Sequence, residues 1–338
     1  MLVPLMGALM ERLGPQSVNA LDIAPPAQAD GLAGRVYQVM RREFFVAAPF
    51  ALHAPVPELM AAAWALIRET LFVGQAPRSE KEILAWAVSE ANRCPFCIDA
   101  HHAAVKATGG VDDKLKSWGL RTAQAQGPGL AELPFTEQRA EYLGTMVGFH
   151  YLNRMVSAFL DPRLMPVPDF MAAATAPMAT LMMGGMVRKQ AALAPGAALG
   201  LLPSYDTSLA FRPAWAQEVP SIAEAIAGWS GVIETMARAQ LDAALLAKLG
   251  AAIETWQGQQ DVAELTALCS GAAADQVPAV ELALTVVAAP YRVQGALMQG
   301  VLGRALDQKQ TLALVAWAAQ RSARRVGTWV PAAAGLPV

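Results

Sequence analysis

The sequence predicts an all-α fold, and three observations carry the prediction. Apolar residues recur three and four apart through long Ala-, Leu- and Met-rich segments, the spacing of a buried helix face. Pro and Gly fall between those segments and seldom within them. No stretch alternates with period two for long enough to form a sheet. In the first half, helices are predicted over residues 34–45, 57–72, 80–92, 95–108 and 137–160. In the second half they are predicted over 221–237, 239–255, 280–302 and 308–328.

The two halves echo each other. Val56-Pro57 returns as Val219-Pro220, and Asn153-Arg154-Met155-Val156 is answered by Ala323-Arg324-Arg325-Val326. Repeated similarity at a near-constant offset indicates a duplicated helical unit; Ala-rich amphipathic helices also resemble one another by composition alone. The expected organisation is a helical unit at 1–160, a Pro- and Gly-rich connection at 161–212 and a second helical unit at 213–338.

Composition narrows the function. Hydrophobic residues make up 54% of the 338 and charged residues 16%, ample for a large core. A surface so poor in charge suggests apolar area buried between copies of the chain, so a homo-oligomer is expected. The net charge of -2 and the lack of Lys/Arg runs argue against nucleic acid. The apolar start, 1–10, lacks the basic segment and cleavage site of a signal peptide. The uncharged stretch 170–187 approaches the length of a membrane span. It contains Pro177 and few Leu or Ile, and reads as a buried or interface segment. A cytoplasmic protein with no membrane partner is expected. Three cysteines, an odd number, do not make a disulfide framework. Cys269 stands alone and reads as a small buried apolar residue.

The informative stretch is Cys94-Pro95-Phe96-Cys97-Ile98-Asp99-Ala100-His101-His102. Pro95 directly after Cys94 suits an N-cap followed by the first helical residue, and Gly109-Gly110 ends that helix. Both thiols then sit in the first turn, where free N–H groups and the helix dipole favour thiolate. His101 follows Cys97 by four positions and shares its face. If residues 80–92 fold back against 95–108 as a tight hairpin, Glu82 comes within about one turn (~5 Å) of His101. A carboxylate–imidazole–thiol chain of this kind draws the proton from a cysteine near neutral pH. Two readings compete for Glu82: Ser79-x-x-Glu82 spells a capping box, and the hairpin mirror offers Glu90 as a rival base near Cys97.

Glu82, Cys94, Cys97 and His101 together resemble the E-x11-C-x2-C-x3-H signature of the AhpD-like alkylhydroperoxidases. These belong to the carboxymuconolactone decarboxylase-like superfamily. The resemblance covers roughly residues 36–160. It implies an AhpD-like helical bundle in which Cys97 attacks a hydroperoxide and Cys94 resolves the sulfenic acid. Glu82 and His101 would serve as the proton relay, and a dithiol protein as the reductant. Phe96 occupies a position where some peroxidase members carry histidine, so a relay through that position is lost. Two other functions fit the superfamily less closely: a decarboxylase-like lyase or isomerase, and a non-enzymatic redox-responsive interaction protein.

No metal or cofactor is expected. A C-x-x-C with one histidine offers three zinc ligands and no fourth nearby, and Ile98 after Cys97 breaks the haem-attachment pattern. His102 points about 100° away from His101 and reads as a surface or interface residue. His53 and His150 read as structural. At the repeat offset the four site positions fall on Leu245, Gln257, Gln260 and Glu264, so one active site per chain is expected.

Overall fold

The structure, a computed structural model, describes residues 11–12, 14–164, 193–258, 260–293 and 295–338. Among the described residues the chain is all-α, with isolated bridges such as Val18 to Leu160 and no strand. The apolar segments 1–10 and 170–187 lie outside the described residues. Among the described residues no helix is long and apolar enough to cross a membrane.

In the first half, α1 (Gly31–Glu43) and the short α2 (Ala48–Ala51) lead into α3 (Pro57–Ile67), which a π turn prolongs over Arg68–Phe72. Helices α4 (Arg78–Ala91), α5 (Pro95–Thr108), α6 (Asp113–Arg121) and α7 (Arg139–Phe159) follow. The second half holds α8 (Pro220–Gln240), α9 (Ala243–Thr255), α10 (Val262–Leu268), α11 (Val277–Ala288), α12 (Gly295–Val301) and α13 (Gln308–Ala333). Proline opens α3, α5 and α8, where its missing N–H costs nothing.

The structure departs from the expected helices in physical ways. Helices α6 and α10 were not expected, being too short to show a period. Each starts on an aspartate, Asp112 or Asp261, whose carboxylate accepts from backbone N–H groups of the first turn. The single helix expected over 280–302 breaks into α11, a turn at Pro290–Arg292 and α12, because Pro290 cannot continue the hydrogen-bond ladder.

The two halves pack on each other: α3 lies on α8 and α7 on α13. One continuous hydrophobic cluster runs through both halves. Helix α4 sits at the centre of the first half, against α5, α6 and α7. Small residues let α7 approach the end of α3: a Cβ on Gly144 would lie 2.7 Å from Thr70 Cγ2.

A buried ion pair ties α4 to α7. Lys81 Nζ donates to Glu141 Oε2 at 2.9 Å and to the Val73 carbonyl at 2.7 Å. Glu141 also accepts from the backbone N–H groups of Gln75 and Ala76, which holds the loop entering α4. Burial pushes the Lys81 ammonium down, and Glu141 opposes that shift. Removing one partner of a buried pair leaves an uncompensated charge, so Glu141→Ala is expected to lose about 3–5 kcal/mol in urea unfolding. A loss below about 1 kcal/mol, the value of an exposed pair, would show that water reaches Lys81.

Candidate active site

The site is built on the α4–α5 hairpin. Its link contains Arg93 at φ 54°, a left-handed conformation that costs a non-glycine residue about 1 kcal/mol. The Arg93 guanidinium lies 4.6 Å from the Tyr291 ring centre, and the Cys94 N–H donates to the Ser89 carbonyl at 3.0 Å. Cys94 takes the extended N-cap conformation with Pro95 as the first helical residue, and Gly109, at φ 82°, ends the helix. The turn is short enough to lay α5 back along α4.

The two thiols meet at 2.6 Å between sulfurs, both free and both buried. That is closer than a nonbonded sulfur contact and longer than a disulfide of about 2.05 Å. The expected thiolate preference of the helix start does not prevail at Cys97. Burial, then the hydrogen bond and charge interaction with Cys94, push its thiol well above the ordinary value. The hydrogen bond from Asn153 and the Cys97 backbone pull the other way without winning. A thiol in this position needs a base.

The structure brings Glu82 and His101 together. His101 Nδ1 lies 2.6 Å from Glu82 Oε2, and Arg78 Nε donates to Glu82 Oε1 at 2.7 Å. Burial alone would raise the Glu82 carboxyl; Arg78 and then His101 outweigh it and hold the group down to about 2. An ionised carboxylate only accepts, so Nδ1 carries the proton and Nε2 is left able to take one. The Phe149 ring meets His101 edge-on at 4.5 Å and fixes the imidazole plane.

The competing readings of the carboxylates are corrected. Helix α4 begins at Arg78 with Pro77 as its N-cap and no side-chain cap, so Ser79 and Glu82 form no capping box. Glu90 turns away from the thiols to Lys116 of α6, at 3.2 Å. His102 stacks on Trp86 at 4.6 Å, away from the cysteines. His53 is buried against the Tyr151 hydroxyl at 3.0 Å and is held down to about 4 by burial. Cys269 is buried in the second half.

Two cavities flank the cysteine pair. An apolar one of about 80 Å³ is lined by Phe44, Phe50, Phe72 and Phe149, with Cys97 and His101. A wider groove of about 910 Å³ on the other side is lined by Cys94, Arg93, Asp161, Tyr291, Met298 and Arg304. Phe96 lines both. The second half of the chain thus supplies part of the wall on the Cys94 side.

Sequence reasoning did not find Arg78 as the partner of Glu82, although their spacing of four is readable on a helix. It also missed Asn92 and Ser89, whose partners on α7 lie some sixty residues away.

A helical bundle carrying C-x-x-C at a helix start, beside a buried carboxylate–imidazole pair, agrees with what comparison finds. Residues 57–126 match the carboxymuconolactone decarboxylase family. The chain belongs to the AhpD-like, carboxymuconolactone decarboxylase-like superfamily. It is 31% identical to the alkyl hydroperoxide reductase Rv2159c of Mycobacterium tuberculosis (strain ATCC 25618 / H37Rv), over 94% of this chain and 96% of that protein. No solved structure matches the chain.

The depressed Glu82 carboxyl has a consequence for acid stability. A group held at about 2, against an ordinary 4.5, contributes stability that is fully present above 4.5 and lost as pH falls through 2. The contribution is on the order of 3 kcal/mol. Unfolding free energy of the native chain should therefore fall over that window, and Glu82→Gln should flatten the fall. Parallel pH profiles for the two proteins would contradict the assignment.

Proposed function

We propose that the protein reduces hydroperoxides through a Cys94–Cys97 dithiol/disulfide cycle, with Glu82 and His101 as proton relay. The observation that carries the reading is the contact of two thiols, one of which, Cys97, shares a cavity wall with an imidazole whose partner is a buried, ionised carboxylate. The superfamily membership and the name of the mycobacterial relative, an alkyl hydroperoxide reductase, support it.

In the proposed cycle the Cys97 proton passes to His101 Nε2, and Glu82 stabilises the imidazolium. The thiolate attacks one peroxide oxygen; the S–O bond forms as the O–O bond breaks. The leaving alkoxide takes the proton from His101 and departs as alcohol, leaving Cys97 as sulfenic acid. Cys94 then attacks that sulfur; the S–S bond forms, the S–O bond breaks and water leaves. An external dithiol restores both thiols by exchange. The apolar cavity at Cys97 suits the organic part of a hydroperoxide, and the open groove at Cys94 leaves room for the reductant. Phe96, standing between the two, carries no proton, so the relay runs through His101 alone.

The proposal extends to the whole chain. The first helical unit, 1–160, carries the site; 161–212 connects it to a degenerate second unit, 213–338. In support, α8, α9 and α10 follow in the order of α3, α4 and α5, and Gln257 and Gln260 stand in the α9–α10 link. A reducing cytoplasm and self-association through apolar surface complete the reading.

One equivalent of peroxide should lower the intact mass by about two hydrogens, recoverable with a dithiol. In Cys94→Ser a sulfenic acid should be trapped at Cys97. Trapping at Cys94 in Cys97→Ser, and not the converse, would reverse the two roles. Peroxide consumption that survives when Cys94 and Cys97 are both replaced by serine would remove the cycle altogether.

A further inference from the structure

The chamber at Cys97 is small, and its walls are rings. Its volume of about 80 Å³ is little more than half of the ~150 Å³ that encloses benzene in an apolar protein cavity. A tail of about three or four carbons fits such a space, and a phenyl ring does not. Among the described residues that line it, the polar side chains are Cys97, His101, Glu82 and Arg78. Glu82 is held by His101 and Arg78. The rest of the wall offers a substrate contact without hydrogen bonds, so it selects by size and shape.

Inner wall and mouth are built differently. Ile67, Leu71, Phe50 and Phe149 are buried, whereas Phe44 and Phe72 are half-buried and stand at the mouth. Phe72 reaches the chamber because the helix before it changes pitch. In an α-helix, at about 100° per residue, a side chain five positions on lies roughly 140° round from Ile67. Phe72 would then face elsewhere. The π turn over Arg68–Phe72 is closed by the Val73 N–H donating to the Arg68 carbonyl at 3.0 Å, and it makes residues five apart near neighbours. Ile67 and Phe72 consequently line one chamber.

Three contacts hold the Phe72 ring in place. Its centre lies 4.6 Å from that of Phe44 and 5.7 Å from that of Trp64, and the Arg78 guanidinium sits 4.5 Å over it. Phe44 is itself packed on Phe45 at 4.2 Å. Arg78 is tied to Glu82 as well, so it is not free to swing aside. A ring clamped on three sides yields little to a larger guest.

We propose that Phe72, backed by Phe44, is the specificity-determining residue of the site. It admits hydroperoxides with a compact tail such as tert-butyl and turns away those with a phenyl ring or a long chain. The proposal rests on the reading of Cys97 as the thiol that attacks the peroxide. Cumene hydroperoxide is tert-butyl hydroperoxide with one methyl replaced by phenyl. Phe72→Ala deletes one phenyl ring from the wall, which is the space the larger peroxide lacks.

The test compares kcat/KM for the two peroxides, with dithiothreitol as reductant, in the native chain, Phe72→Ala and Phe44→Ala. Each value is divided by the rate of the same peroxide with free cysteine. The native chain should favour the smaller peroxide at least roughly tenfold, as misfit in a hydrophobic pocket does. Phe72→Ala should cut that ratio roughly tenfold, and Phe44→Ala should cut it less. A merely structural role lowers both rates together and leaves the ratio where it was. Equal rates in the native chain, or a ratio unmoved in Phe72→Ala, overturn the proposal. If Phe72→Ala does not fold, the same ratio in Phe44→Ala decides.

A second arm needs no peroxide. In a Cys94→Ser background, Cys97 alkylation by iodoacetamide and by its N-phenyl derivative is followed by peptide mass. The derivative should lag in the native wall and catch up in Phe72→Ala. If it does so while neither peroxide is reduced, the peroxidase reading fails and the size limit stands. If both peroxides are reduced alike and both reagents react alike, only the size limit fails.

Discussion

The hydrogen bond between Glu82 and His101 is the contact on which the rest of the site depends. It joins α4 to α5 across their hairpin, 19 positions apart in sequence and 2.6 Å apart in space. Burying a carboxylate is costly unless it is paired and hydrogen-bonded. Glu82 meets that cost with two partners, Arg78 one turn before it and His101 on the facing helix. Because Arg78 occupies one oxygen, the other is free to hold the imidazole without a competing donor. The pair is therefore both a clamp on the hairpin and a fixed tautomer facing the small cavity.

The thiols show why such a pair is needed. A C-x-x-C at a helix start is usually credited with reactivity from the helix dipole, which acts within the first turn. Here Cys97 is only 3% exposed, and burial dominates. The thiol is raised, so the helix start is too weak to ionise it unaided. The carboxylate–imidazole pair lines the same small cavity as Cys97, where the proposed cycle has it take the thiol proton. The wall between the cavities, Phe96, keeps the apolar chamber at Cys97 apart from the groove at Cys94.

Much of this was legible in the residues because local chemistry marks it. Pro95 and Gly109 bound α5, so the turn that holds Cys94 and Cys97 was readable to the residue. The i, i+4 relation of Cys97 and His101, with a short hairpin, placed Glu82 near the imidazole. Where tertiary context intervened, the reading failed. The capping box at Ser79 was undone because Pro77 starts the helix two residues earlier. Glu90 was a rival base only while α6 was unrecognised; Lys116 on that helix takes it. The contact of Asn92 with Asn153 could not be read at all, since it forms through the packing of α4 on α7 and nothing in their spacing announces it.

The claim at the centre of this account is that Glu82, through His101, governs the reactivity of Cys97. The most direct measurement is the rate of Cys97 oxidation by peroxide at pH 7 in Glu82→Gln and Glu90→Gln, with melting temperature followed in parallel. The account predicts about a tenfold loss in Glu82→Gln, equivalent to about 1.4 kcal/mol of transition-state stabilisation, and no loss in Glu90→Gln. An unchanged rate in Glu82→Gln, or a loss confined to Glu90→Gln, would contradict it.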